Sequence, residues 1–216
     1  MQATVYLEQE NLSGTGQVSP EPVVSGQTSQ EAQLIEQARQ GDEVAWARLV
    51  TRHQDAVFRL AFLLLGNTDD AQDVAQEALI RGFYALDSFD STRPLRPWLL
   101  RITSNLASNK RRSLARYVAA VGRWFQKEAA TVEPDFQDRQ VQQWEAQTVW
   151  QAVQRLSRSD QEIIYLRFFL ELSVAETATA ANIAPGTVKS RLHRALNRLR
   201  QVIAQDFPDL QTERTR

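Results

Sequence analysis

Residues 173–202 read SVAETATAANIAPGTVKSRLHRALNRLRQV, and this stretch decides what kind of fold the chain can adopt. Ser173 and Glu176 have capping-box spacing: the Ser hydroxyl takes the backbone N–H three residues on, and the Glu side chain returns to the N–H of the Ser. Asn182 tolerates the left-handed turn that closes a helix, and Pro185 brings the fixed φ that suits a helical first turn. Beyond it Val188, Leu192, Ala195, Leu196, Leu199 and Val202 recur at helical spacing and face a core. Thr187, Lys189, Ser190, Arg191, Arg194, Asn197, Arg198 and Arg200 cover the other side, and residues 185–202 contain five basic groups and no acidic one. A short helix, a tight turn and a basic amphipathic helix form the arrangement that lays the second helix in a DNA major groove. There its first residues reach base edges and later cations meet phosphates. An ordinary solvated basic face is the plain alternative; the capped helix and turn before it argue for the groove.

Upstream, Val149, Ala152, Val153 and Leu156 form another apolar stripe, and Ser159-Asp160-Gln161-Glu162 repeats the capping-box spacing, so a helix opened by Ser159 is expected. Residues 128–147 carry five acids, one basic group and Pro134, which marks a boundary. Ahead of it the pattern is again helical: about 31–40, ended by Gly41; about 43–65, capped by Asp42 and stopped by Gly66-Asn67; about 69–86, capped by Thr68; and from Trp98 to about Arg112, with continuation through 113–127 open. Asp87–Pro97, holding Pro94 and Pro97, reads as a loop. The first 30 residues lack a helical period and read as a mobile tail. No alternating β-branched run predicts a strand.

The 216 residues suit two small domains. The absence of Cys excludes disulfides, thiolate nucleophiles, iron–sulfur clusters and Cys-based zinc sites, and His53 and His193 are the only imidazoles. No phosphate-binding loop occurs. No catalytic constellation, metal site or cofactor is expected. The longest apolar run, Leu60–Leu65, is far too short to span a bilayer, and residues 1–30, with no Lys or Arg, do not read as a secretory signal, so a cytoplasmic protein is expected.

The net charge of −1 hides a segregation. Residues 93–127 carry nine basic groups and no acid, whereas 31–92 carry eleven acids against five basic groups. Arg93, Arg96, Arg101, Lys110, Arg111, Arg112 and Arg116 are interleaved with Trp98, Tyr117, Asn105 and Asn109; Asn105, Asn109 and Arg112 fall on one helical face. Cations along a backbone, with amides and rings for bases, suit separated strands, although Trp98 before an apolar stripe reads as core. Asp70, Asp73 and Glu77, with Gln76 beside them, form a carboxylate stripe that would repel DNA and could dock on a basic protein surface. Acids in a first turn also offset the helix dipole, which accounts for Asp69 and Asp70 and poorly for Glu77.

Three motifs, in order, resemble those of bacterial RNA polymerase sigma factors of the extracytoplasmic-function group. Asp70-Ala71-Gln72-Asp73-Val74-Ala75-Gln76-Glu77 is similar to the family's D-A-E-D-x-x-Q-E. Trp98–Arg112 is similar to its W-L-x-x-I-A-x-N-x-x-x-D-x-x-R. Gly186–Ala195 is similar to its recognition helix. The resemblance covers roughly 31–112 and 149–202. It implies an all-α chain of two small helical domains: sigma region 2 over 31–112 and a region 4 helix-turn-helix over 148–204, joined by the acidic linker 113–147 and flanked by tails 1–30 and 205–216. It implies that Asp70, Asp73, Gln76 and Glu77 grip the clamp of core RNA polymerase. Arg101, Asn105, Asn109 and Arg112 would hold the melted minus-ten strand, and Thr187, Lys189, Ser190, Arg191 and Arg194 would read the duplex minus-thirty-five element. The family is often held by an anti-sigma protein, and nothing in this sequence identifies one. Asn109 stands where the family usually has Asp, Gln72 replaces a Glu, and Glu171 and Asn182 stand where Gly is common. A plain helix-turn-helix regulator would instead bind palindromic duplex sites as a dimer, and a helical adaptor would bind no DNA.

Overall fold

A computed structural model describes residues 25–121 and 149–207. The expectations for residues 1–24, for the acidic stretch 128–147 and for residues 208–216 lie outside the described residues. Within them the chain is helical, with no strand: α1 (Ser25–Arg39), α2 (Glu43–Leu65), α3 (Thr68–Tyr84), a 3-10 turn (Leu86–Ser88), α4 (Leu95–Val121), helical backbone at 149–154, α5 (Arg158–Ile164), a π turn (Tyr165–Phe169), α6 (Val174–Ala181) and α7 (Pro185–Asp206).

The first four helices pack as a bundle, with α2 at its centre against α1, α3 and α4. Asp42 caps α2, accepting from the Val44 and Ala45 N–H groups, and Gly66 closes it at φ 70°, where a Cβ would be strained. At α3 the cap is Asn67 rather than Thr68: its side chain accepts the Asp70 N–H, because an Asn one residue earlier reaches that donor equally well. Two boundaries differ from the sequence pattern. Helix α1 begins at Ser25, inside the expected tail. Helix α4 begins at Leu95, so Pro97 sits in its first turn, where the missing N–H is no loss; α4 then runs on past Arg112 to Val121. Its unpaired Leu95 N–H donates 3.2 Å to Glu31 Oε2, from 64 residues away.

Glu31 also takes His53 Nε2 at 3.0 Å, with Arg52 at 3.6 Å. Burial alone would push its carboxyl up; the His53 and Leu95 hydrogen bonds and the His53 and Arg52 charges outweigh that and hold it below its ordinary value. Gly82 lets α4 approach α3: a Cβ there would lie 2.6 Å from Leu99 Cδ2. Trp98 packs on Phe89 with ring centroids 4.8 Å apart, and it lies half-buried against the core.

In the second unit Trp150, Tyr165 and Phe169 form a three-ring cluster with centroids 5.5–6.0 Å apart. Ser157, not Ser159, caps α5, accepting the Asp160 N–H. The expected Ser159–Glu162 box is absent because the helix starts two residues earlier, which turns Asp160 toward α7 and frees Glu162 for another role. Asp160 is buried and paired with Arg198 of α7. Helix α5 widens into the π turn, where Leu170 N–H reaches Tyr165 O, and Glu171 then reverses the chain at φ 56°. The Ser173–Glu176 capping box, the left-handed Asn182 at φ 54° and Pro185 at the start of α7 all stand as the sequence indicates.

The two units meet. Helix α6 packs on α4, and Arg96 Nη2 of α4 donates 3.0 Å to Leu170 O. Glu162 lies near Arg111 and Arg191, and burial pushes its carboxyl up further than their charges pull it down.

Candidate functional site

Three faces carry the chemistry expected of the chain. On α3, Asp70, Asp73, Gln76 and Glu77 project along one side because Ala71, Val74, Ala75 and Ala78 bury the other. Gln76 is exposed, Asp73 largely so, and Glu77 takes Arg81 Nε at 2.7 Å. Lys110 of α4 lies across the start of this stripe, with Nζ 2.8 Å from Asp70 and 3.1 Å from Asp73. Those carboxylates hold its ammonium above the usual range. Lys110 therefore leaves the nucleic-acid face on which its sequence neighbours placed it. The stripe continues into Ile80 and Tyr84, three and seven residues beyond Glu77, and with Phe83 they expose apolar surface backed by Trp46, whose ring lies 5.2 Å from that of Phe83. The sequence reading does not single these residues out; the available signal is their place on the Asp73/Glu77 side of a helix whose opposite side is already apolar.

On α4, Arg101, Asn105, Asn109 and Arg112 are all exposed. Arg112 Nη2 donates 2.6 Å to Asn109 Oδ1, so the amide NH₂ of Asn109 is left to face outward. Asn109, Arg112, Ala115 and Arg116 line an open concavity of about 590 Å³. Arg111 turns inward, with Nη1 3.1 Å from Leu64 O, and burial lowers the pKa of its guanidinium. It braces α4 against α2 and does not belong to the cationic face.

On α7, Lys189, Ser190 and Arg194 are exposed, and Thr187 and Arg191 are half-buried. Val188 and Ala195 anchor the opposite side in the core. The Nε of Arg194 donates to Ser190 O within the helix. Arg198, which the sequence pattern set among the outward cations, is spent on Asp160. The structure thus brings each expected set together on its own helix, with Lys110 tying the start of the acidic stripe to α4. No group of His, Asp and Glu able to hold a metal ion occurs among the described residues, and no described helix is long and apolar enough to cross a membrane.

Family comparison finds relatives along most of the chain. Residues 49–117 match the family model for sigma-70 region 2, and residues 146–199 match that for sigma-70 region 4. The ECF RNA polymerase sigma factor SigW of Bacillus subtilis is 35% identical over 176 residues, covering 77% of this chain and 93% of SigW. The RNA polymerase sigma-H factor of Pseudomonas aeruginosa is 32% identical, covering 77% and 90%. Among solved structures, CnrH in complex with the cytosolic domain of CnrY superposes with a TM-score of 0.61 at 26% identity, over 82% of this chain and 99% of that one. The sigma factor RpoE of Bartonella quintana, in complex with the anti-sigma factor NepR, gives 0.60 at 27%, over 74% and 97%.

Proposed function

The chain belongs to the extracytoplasmic-function sigma factors of RNA polymerase, which direct promoter-specific initiation, and from that membership we propose a division of labour among its helices. Asp70, Asp73, Gln76 and Glu77 of α3 dock on the clamp of core polymerase, with Ile80, Phe83 and Tyr84 adding apolar contact. Arg101, Asn105, Asn109 and Arg112 of α4 hold the unpaired minus-ten strand. Melting is driven by binding energy gained on extruded bases, each stack worth about 1–3 kcal/mol. Thr187, Lys189, Ser190, Arg191 and Arg194 of α7 read the minus-thirty-five element in the major groove. Bond making belongs to the polymerase, and the chain works at the nucleoid in the cytoplasm without a cofactor of its own. CnrH and RpoE are each recorded with a partner that binds them; this chain, too, is a candidate for capture by an anti-sigma protein.

The observation that carries the reading is the segregation of charge: a carboxylate stripe on α3, and acid-free exposed faces on α4 and over residues 185–202 of α7. A footprint of the reconstituted holoenzyme tests it, on a promoter located by mapping the transcript starts that appear when the chain is overproduced. Lys189→Ala with Arg191→Ala should erase upstream protection. Asn105→Ala with Arg112→Ala should keep upstream protection and lose the permanganate reactivity of unpaired thymines. If either pair of substitutions erases both signals equally, the division fails.

A further inference from the structure

Arg52, Arg59 and Arg96 belong to neither of the cationic faces on α4 and α7. Arg52 and Arg59 stand seven residues apart on α2, about two helical turns, and so share one side of it. Arg96 lies on the first turn of α4, five positions before Arg101, a step that turns it about 140° away from that residue. The three side chains, together with His53 and Asp55, line a hollow of about 330 Å³ that Leu170 also borders.

The guanidiniums around this hollow keep most of their donors. Each presents several N–H groups in a fixed fork. Arg96 gives one to Leu170 O. Arg59 is exposed and forms no ion pair among the described residues. Arg52 has Glu31 beside it, yet both oxygens of that carboxylate are occupied: Oε1 by His53 Nε2 at 3.0 Å and Oε2 by the Leu95 N–H at 3.2 Å. Arg52 Nη1 is left 3.6 Å from Oε1, beyond hydrogen-bond reach. His53 is buried and fixed by Glu31, and Asp55 is the acid that lines the hollow beside the three cations.

Guanidinium forks match the oxygens of phosphoryl groups in pairs. The Arg52 and Arg59 backbones are about 10 Å apart along α2, a span that two linked phosphoryl groups bridge between side chains better than one. Asp55 and Glu31 offset part of the positive charge, which disfavours a monovalent ion and favours a multiply charged one. A nucleic-acid backbone is met by an exposed ridge, as on α7, whereas a hollow of this size with a buried wall suits a small ligand. We propose that it binds a small molecule carrying a diphosphate group, whose oxygens take the free donors of Arg52, Arg59 and Arg96. The site goes beyond the sigma-factor reading and does not depend on it.

Calorimetric titration of the full-length chain with inorganic pyrophosphate, in buffer free of DNA and divalent cations, should show saturable binding, and the unfolding midpoint should rise with pyrophosphate concentration. Arg52→Ala with Arg59→Ala should weaken that binding by at least about tenfold. If this double variant does not fold, Arg59→Ala alone, at an exposed position, decides by the same loss. Lys189→Ala with Arg191→Ala should bind pyrophosphate as the parent does. The site is overturned if the parent shows no saturable binding, or if both pairs of substitutions weaken it equally, since the attraction is then diffuse. It is overturned as well if the Arg52/Arg59 variant keeps pyrophosphate binding and loses affinity for duplex DNA, which would make these arginines a contact to the DNA backbone.

Discussion

Lys110 on α4 holds Asp70 on α3 at 2.8 Å, so the carboxylate stripe offered to polymerase is already shared with a cation of its own chain. Both side chains are about a third exposed, and a pair of that kind contributes at most about 1 kcal/mol. Lys110→Gln should therefore shift the unfolding midpoint by less than about 4 °C. Released from competition, Asp70 and Asp73 should bind core polymerase up to about fivefold more tightly in low salt. Fluorescence titration of labelled chain with core polymerase at two salt concentrations checks this; weaker binding would return Lys110 to the DNA face.

At position 109 the amide presents its NH₂ outward because Arg112 occupies its oxygen. An NH₂ group donates to base acceptors, whereas a carboxylate only accepts. Asn109→Asp should exchange a preference for an acceptor edge in the minus-ten strand for a base with an exocyclic amino group, a discrimination of about 1–3 kcal/mol for a good pair. Transcription from a promoter library randomised across the minus-ten element reads the change. An unaltered consensus would remove Asn109 from base recognition.

Glu31 ties α1 to His53 and to the start of α4. Its carboxyl is held below the ordinary value of 4.5, so the stability it contributes is fully present above that value and is lost as pH falls through the folded pKa. Glu31→Gln can satisfy one partner and not the other, at a cost of about 1–3 kcal/mol at neutral pH. Urea unfolding at a series of pH values should show the gap between parent and variant intact at neutrality and narrowing below pH 4.5.

Glu171 reverses the chain between the π turn and α6 at φ 56°, a conformation that costs an L-residue about 1–2 kcal/mol. Glu171→Gly should recover about 1 kcal/mol of that and raise the unfolding midpoint by about 2–4 °C, while Glu171→Val should lower it. Thermal unfolding by circular dichroism distinguishes the two directions.

Features written in local chemistry were legible in the sequence. The Ser173–Glu176 box, Asn182, Pro185, the Asp42 cap and the Gly66 stop each depend on a few neighbouring atoms, and all stand in the structure. The two turns at which Glu171 and Asn182 replace a common Gly are indeed left-handed. Features set by distant partners were not legible. Lys110, Arg111 and Arg198 carry the same charge as their neighbours in sequence, yet Asp70, the Leu64 carbonyl and Asp160 draw them away from the cationic faces. The cap of α5 moved from Ser159 to Ser157 because both offer the same hydroxyl, and burial of Asp160 against α7 selects between them. The contact between the units left no pattern, since Arg96, which reaches Leu170 O, reads in sequence as one more cation of its basic run.

Transcription in vitro with purified core polymerase decides whether opposite charges on separate helices divide polymerase from promoter. The parent chain should yield discrete starts. Asp73→Lys with Glu77→Lys should abolish both these starts and co-elution with core polymerase, while leaving binding of the full-length chain to duplex upstream-element DNA unchanged. Undiminished transcription by that double variant, or equal loss of duplex binding, would contradict the account.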